Sequence, residues 1–312
     1  MNIAAETQNL TKTYKNTIAV SEINLAVPMG AVCGFLGKNG AGKTTTMKML
    51  VGLIKPTSGS FSIMGKTADT NSLVGYLADV PEFYGYMTAV EFLTLCGKIA
   101  KVSDLKNRVE ELLKKVGLMG VKTKISGYSR GMRQRLGIAQ AIINRPNIVF
   151  LDEPISALDP AGRRDVTNII NDLGTTVMFS THILSDVENI CNYIIIMDKG
   201  KILEQGWTAE VKQKYSKNAV QLAFFDVADK ENFIAKNADF NIKNLADPTA
   251  IEIVSDNVSK LSQTIVAALA QLSLPIRNFS VFESTLDSIF YDLTEISEIS
   301  KTSKISKEVQ NV

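Results

Sequence analysis

The sequence predicts an α/β protein with a mostly parallel sheet at its core and a second, smaller α/β unit after it. Three observations carry that expectation. Short apolar runs alternate with helical patterns between residues 31 and 198. One of those runs feeds a glycine-rich loop that opens a helix, a strand–loop–helix order suited to holding phosphate. Beyond about Tyr215 the pattern changes and glycine disappears from the chain.

Taken in order, Ala31 to Leu36 is an apolar run of buried-strand type. It ends in GKNGAGKTTT, and an apolar helix over Met47 to Val51 follows. Asp104 to Val116 sets Leu105, Val109, Leu112, Leu113 and Val116 at helical spacing, with Gly117 near the end. Met132 to Asn144 reads as a helix stopped by Pro146. Ile148 to Leu151 is a buried strand. Asp159-Pro160 has the form of an N-cap followed by proline at the first helical position, and Gly174 closes the helix that results. Thr175 to Phe179 is the next strand. Tyr193 to Asp198 and Lys201 to Glu204, joined by Lys199-Gly200, form a hairpin. In the last third, Val220 to Val227, Ile251 to Val254 and Phe279 to Phe282 are strand candidates, and Lys260 to Leu272 and Thr285 to Leu293 are helix candidates. The expected division is residues 1–215, then 216–295, then a Ser- and Lys-rich tail over 296–312 with too little apolar content to order.

Composition narrows the functional classes. Among 312 residues, 34 are basic and 32 acidic, a net charge of +2 that argues against a broad nucleic-acid-binding face. Cys33, Cys96 and Cys191 form no CxxC pair, and the expectation is buried free thiols in a reducing compartment. The N-terminus lacks the apolar run of a signal peptide. No apolar stretch nears the roughly 18 residues of a spanning helix, so a membrane role would need a partner to cross the bilayer.

The segment Gly37 to Thr44 fits GxxxxGK[ST] without a mismatch. Its glycines let successive backbone N–H groups turn inward on an anion, and the helix that starts there adds its positive end. Gly37, Asn39, Gly40, Gly42, Lys43, Thr44 and Thr45 are the phosphate-binding candidates. Lys43 supplies a point charge for the β- and γ-phosphates, and the Thr44 hydroxyl suits Mg²⁺. The loop alone says nucleoside triphosphate, and the lack of an NKxD tetrapeptide lowers a guanine-specific reading.

Downstream, Asn147 to Glu153 is an apolar strand ending in two carboxylates. Asp152 at the strand tip can hold Mg²⁺, usually through water. Glu153, next along, can polarise a water aligned on the γ-phosphate as general base. His182, the sole histidine, follows the strand Thr175 to Phe179, and strand C-termini line the ligand crevice of a parallel sheet. An imidazole there can hydrogen-bond the γ-phosphate.

Together these segments resemble the ATP-binding subunit of an ATP-binding-cassette (ABC) transporter over roughly Ile3 to Tyr215. The discriminating motif is Tyr128-Ser129-Arg130-Gly131-Met132 with Arg133-Gln134-Arg135-Leu136 after it, similar to the family signature LSGGQ-QR. The order continues through Asp152-Glu153, Ser156-Ala157-Leu158-Asp159 and His182. The resemblance implies a P-loop NTPase cassette: a parallel-sheet core, an antiparallel β subdomain and a helical subdomain over about 83–145. It implies that Ser129 and Gly131 form a second anion site, facing the γ-phosphate held by the partner's loop in a symmetric dimer or paired cassette. It places Tyr14 against adenine and Asp79 where the family keeps a Gln near Mg²⁺ or the attacking water. The expected cofactors are ATP and Mg²⁺. The expected partner is an integral-membrane permease at the cytoplasmic face of the membrane, with no nucleic acid involved. Phe83, Tyr84 and Tyr86 are candidates for docking that permease.

The chain departs from the signature at Tyr128, Arg130 and Met132, and Ile155 replaces a common Thr. Asp79 adds negative charge and loses the amide donors of Gln. Val281 to Phe290 resembles the ending of drug, antibiotic and polysaccharide exporters, which favours export. The alternatives are a soluble ATPase of the same family or a regulatory module without turnover. A single phosphate loop, and a gap from Thr44 to Ser129 too short for a long coiled coil, weaken the first. Intact Lys43, Asp152, Glu153 and His182 weaken the second.

Overall fold

The computed structural model describes residues 2–68, 70–215, 219–255, 257–282 and 285–294. The tail expected over 296–312 lies outside the described residues, as do Glu283 and Ser284 of the exporter-like ending. The chain divides into two units, Met1–Val211 with 293–312, and Lys212–Asp292.

The first unit opens with β1 (Ile3–Tyr14), β2 (Thr17–Ile23) and β3 (Ala26–Pro28), and β4 (Val32–Leu36) then runs through the glycine loop into α1 (Lys43–Leu50). β5 (Ser58–Ile63) and β6 (Val74–Leu77) precede three helices, α2 (Ala89–Ile99), α3 (Leu105–Lys115) and α4 (Arg130–Ala141). β7 (Ile148–Leu151), α5 (Pro160–Asn171), β8 (Thr176–Thr181), α6 (Leu184–Ile190), β9 (Tyr193–Asp198) and β10 (Lys201–Trp207) follow, and α7 (Thr208–Lys214) carries the chain across the boundary at Val211. β1 pairs antiparallel with β2, β3 and β5. The six-stranded sheet has the order β10-β9-β4-β8-β7-β6, and all its pairs are parallel except the β9–β10 hairpin.

That order explains the site. Crossover connections between β4, β7 and β8 put helices on both faces of the sheet, so β7 is buried at every residue and reads as a continuous apolar run. Phe35, Phe150 and Met178 pack on one face against Met47, Met49 and Leu50 of α1. The register sets Leu36 beside Thr181 and Leu151 beside Phe179. The C-terminal ends of β4, β7 and β8 therefore converge, and each delivers its next residues to one crevice.

The helical segment is fixed by local chemistry. Thr88 and Glu91 form a reciprocal capping box at the start of α2. α4 lies close on β6: a Cβ at Gly75 would come within 2.1 Å of the Ala141 carbonyl oxygen, so only glycine fits. α4 ends at Ala141, three residues short of the expected Asn144. Two causes are visible. Arg145 precedes proline, which disfavours the helical region, and takes φ 54°. The buried Arg108 guanidinium donates to the Ile142 and Ile143 carbonyls, satisfying the helix end there.

The second unit runs β11 (Ala219–Phe224), α8 (Val227–Lys236), β12 (Asn241–Asn244), β13 (Ala250–Val254), α9 (Val258–Leu272) and β14 (Ile276–Phe282), and a helix over 286–294 comes after it. Its sheet, β12-β13-β11-β14, pairs antiparallel throughout, a split βαβ arrangement rather than the parallel kind. Val220, Leu222, Phe224, Phe233, Ile251, Ile253 and Ile265 form its core. The strand expected over Val220 to Val227 stops at Phe224. Asp226 caps α8 by accepting a hydrogen bond from the Asp229 N–H, which turns the chain into a helix at Val227.

Candidate functional site

The glycine loop leaves β4 and closes into α1 at Gly42, whose φ of 110° belongs to glycine. A Cβ there would also meet the Ala19 carbonyl oxygen at 2.6 Å. Gly42 caps α1 without a side chain. The first N–H groups of the helix thus lack a side-chain acceptor and suit an anion. The loop is braced by Ala41 N–H donating to the Lys38 carbonyl at 3.1 Å, and by Gly200 N–H donating to the Ala41 carbonyl at 2.9 Å. Gly37 is buried, whereas Asn39 and Gly40 are exposed on the loop's outer turn. Thr45 is half-buried on the first turn of α1.

Lys43 is buried and folds back over the loop. Its Nζ donates to the Gly37 carbonyl at 2.6 Å and lies 3.7 Å from Glu153 Oε1. Burial lowers its pKa, against the upward pull of Glu153 and Asp152. Asp152, on the end of β7, is buried. Its Oδ1 accepts from Thr44 Oγ1 at 3.0 Å and from Ser180 Oγ at 2.6 Å. Ser180 in turn accepts from the Glu153 N–H at 2.9 Å, so one hydroxyl ties both acids to the end of β8.

Glu153 has φ 48°, an uncommon conformation for a non-glycine residue, worth of order 1–3 kcal/mol of strain. Three hydrogen bonds hold it: its N–H to Ser180, and its carbonyl accepting from the Ser156 N–H at 3.2 Å and Oγ at 3.1 Å. The result aims the carboxylate at Lys43 on one side and His182 on the other. His182 Nδ1 lies 3.0 Å from Glu153 Oε2, and the imidazole is 43% exposed at the mouth.

Lys43, Thr44, Asp152, Glu153 and His182 thus come together, as the sequence pattern predicts. Sequence reasoning assigned Ser180 no role. A serine interrupting the apolar run of β8, one strand from two acids, was the available signal.

The remaining candidates lie elsewhere. Tyr14 ends β1 at the tip of the β1–β2 hairpin, 47% exposed, with Lys12 Nζ 5.2 Å from its ring centre. Ser129 caps α4, its Oγ accepting from the Met132 N–H at 3.2 Å. Ser129 is exposed, and Gly131 has open space around it, Leu158 Cδ2 being 4.0 Å from the position of a Cβ. Asp79 is exposed just beyond β6, and its backbone carbonyl accepts from Gln134 Nε2 at 3.4 Å. The three docking aromatics separate. Phe83 packs edge-on against Phe92 in the helical segment, while Tyr84 and Tyr86 stay exposed with ring centres 5.9 Å apart. Cys33 and Cys191 are buried free thiols whose pKa values burial pushes up, which leaves them unreactive.

Chemically, a buried cation and a bare helix N-terminus suit a polyphosphate. A hydroxyl and a carboxylate oxygen 3.0 Å apart suit a hard divalent cation. A strained carboxylate beside an imidazole suits the polarisation of water.

Residues 20–156 match the family model described as "ABC transporter". The chain is 42% identical over 221 residues to the ABC transporter ATP-binding protein YxlF of Bacillus subtilis, covering 69% of this chain and 75% of that protein. It is 33% identical over 305 residues to the daunorubicin/doxorubicin resistance ATP-binding protein DrrA of Streptomyces peucetius, covering 93% and 92%. It is 41% identical over 239 residues to the bacitracin transport ATP-binding protein BcrA of Enterococcus faecalis, covering 73% and 76%. Among solved structures, an ATP-binding subunit of an ABC transporter superposes with a TM-score of 0.62 at 26% identity, covering 68% of this chain and 93% of the other. The dimeric cassette MJ0796 bound to ADP and Pi superposes with a TM-score of 0.60 at 26% identity, covering 65% and 98%.

Proposed function

The chain belongs to the ATP-binding proteins of ABC transporters, an ATPase family, and from that premise we propose how its residues hold and cleave ATP and what they drive. Lys43 and the N–H groups of Gly40, Gly42, Thr44 and Thr45 hold the β- and γ-phosphates, with Gly37 and Asn39 shaping the loop. Tyr14 stacks on adenine. The observation that carries the reading is the junction at the ends of β4, β7 and β8, where Thr44–Asp152 and Lys43–Glu153–His182 meet.

Mg²⁺ fits that junction on the chemistry of its donors. Thr44 Oγ1 and Asp152 Oδ1 are hard oxygens on one edge of the crevice, and no cluster of three or more acidic, His or Cys groups poised for a metal occurs among the described residues. Such a site is completed by phosphate and water oxygens, which is how Mg²⁺ is usually held. Asp79 is assigned to the outer edge of the same site, where its carboxylate would accept hydrogen bonds when the ion is bound. When bound, the ion offsets phosphate charge. Glu153 takes the proton of the attacking water, and His182 donates to the γ-phosphate and orients Glu153.

Glu153 also balances charge in the crevice. Its carboxylate is the internal counter-ion of Lys43 and sits in reach of His182. Neutralising it therefore frees both groups for the γ-phosphate while removing the base. Glu153→Gln is expected to bind ATP at least as tightly as the parent and to lose roughly 10²–10⁴-fold in ATPase rate. Steady-state phosphate release and nucleotide titration check both. Normal turnover in Glu153→Gln would refute the assignment of the base.

No helix among the described residues is long and apolar enough to cross a membrane. We assign the motor role to a complex with a membrane permease, at the cytoplasmic face, through the surface bearing Tyr84 and Tyr86. The transport and resistance names of DrrA and BcrA, with DrrA matched over nearly the whole chain, support export and weaken the reading of a soluble ATPase.

A further inference from the structure

Tyr76 sits on β6, in register with Phe150 of β7, and so points to the same face as Asp152 two residues further along that strand. Asp152 continues the pairing, its N–H donating to the Leu77 carbonyl at 2.8 Å. Both Asp152 and Asp79 are near enough to act electrostatically on the Tyr76 phenol. The Tyr76 hydroxyl is shielded from solvent and has no hydrogen-bond partner among the described residues. Buried polar groups are nearly always paired, and leaving one unpaired costs about 1–3 kcal/mol. An orphan hydroxyl on the strand face that carries Asp152 therefore calls for a partner that the described residues do not supply.

We propose that Tyr76 is a positioning residue of the Mg²⁺-ATP site, its hydroxyl donating to a water at the edge of that site which in turn donates to Asp152 or Asp79. The phenol is suited to this role. Burial and the two carboxylates, Asp152 and then Asp79, push its pKa up, so it keeps its proton and donates toward them. The role also gives Asp79 a function without amide donors: Tyr76 supplies a donor where Asp79 offers only acceptors. Outer-shell groups of this kind typically govern metal affinity by 10–100-fold.

This inference rests on the assignment of Mg²⁺ to Thr44 and Asp152, and the test separates the two. In the full chain carrying Glu153→Gln, Mn²⁺ affinity is measured by electron paramagnetic resonance at saturating ATP, with thermal unfolding of each protein in parallel. Tyr76→Phe is expected to weaken Mn²⁺ binding roughly 10-fold, to leave metal-free ATP binding unchanged, and to keep or raise the melting temperature, since no protein contact is lost. Asp152→Asn should weaken Mn²⁺ binding further. Loss in Asp152→Asn with parental affinity in Tyr76→Phe overturns the role of Tyr76 alone. Parental affinity in both overturns the metal assignment and this inference with it. A marked drop in the melting temperature of Tyr76→Phe would show a structural partner for the hydroxyl and also overturn it.

Discussion

The phosphate-loop end of the first unit and the N-terminus of α4 are the two candidate anion-binding elements of the chain, and they are built in opposite ways. At the loop, charges are neutralised internally: Lys43 faces Glu153, Asp152 accepts from Thr44 and Ser180, and Glu153 is gripped by Ser180, Ser156 and His182. At α4, the first turn carries Arg130 and Arg133 and no acid, although cations near a helix N-terminus are unfavourable by a few tenths to about 1 kcal/mol each. Ser129 is exposed, and the space around Gly131 is open. One end is internally paired; the other is a helix start with no acid in its first turn, which favours an anion from elsewhere. The difference fits the proposed shared site, in which the start of α4 would meet an anion held by another molecule.

The sharpest way to break that comparison is to change α4 without harming its fold. Ser129→Asp keeps a capping oxygen for the Met132 N–H and adds the negative charge that a helix start favours, so the melting temperature should hold or rise. The same charge repels a γ-phosphate. ATPase activity is therefore expected to fall on the order of 10²-fold or more, the scale of losing an oxyanion contact, while one-to-one nucleotide binding by the monomer stays intact. Unchanged turnover in Ser129→Asp would place α4 outside the catalytic assembly.

A smaller effect supplies a control far in sequence from both ends. Asp247, in the turn between β12 and β13, accepts from the Thr249 N–H and hydroxyl at 2.9 and 2.7 Å and pairs with Arg277 at 2.5 Å. Those bonds, Thr249 first, hold its pKa at about 2, below the usual 3.8. A depressed carboxylate stabilises the fold above its ordinary pKa, and that contribution fades as pH falls through about 2. Asp247→Asn should flatten the stability profile of the protein between about pH 4 and pH 2 and leave ATPase activity at neutral pH untouched. Acid unfolding curves for the two proteins decide it.

The sequence was informative where chemistry forces residue types. GKNGAGKT, the acid pair after an apolar strand, and a histidine at the end of the next strand pointed to five candidate residues that the fold brings into one crevice. Local capping signals were equally plain, as at Asp159-Pro160. What escaped depended on tertiary partners. Ser180 links Asp152 and Glu153 only once β7 and β8 lie side by side. The early end of α4 depends on Arg108, more than thirty residues away. Phe83 could not be told from Tyr84 and Tyr86 until Phe92 was seen to cover it. In the second unit, Phe224 and Phe225 before Asp226 and Val227 after it concealed the change from strand to helix, which rests on one cap at Asp226.

The two elements can be joined in a single measurement. The Glu153→Gln protein, at saturating Mg-ATP, should sediment as a dimer, and single cysteines at Ser129 and in the Lys38–Gly40 turn should cross-link between protomers but not within one. A monomer under those conditions, with no such cross-link even in membranes that hold the permease, would contradict the shared-site account.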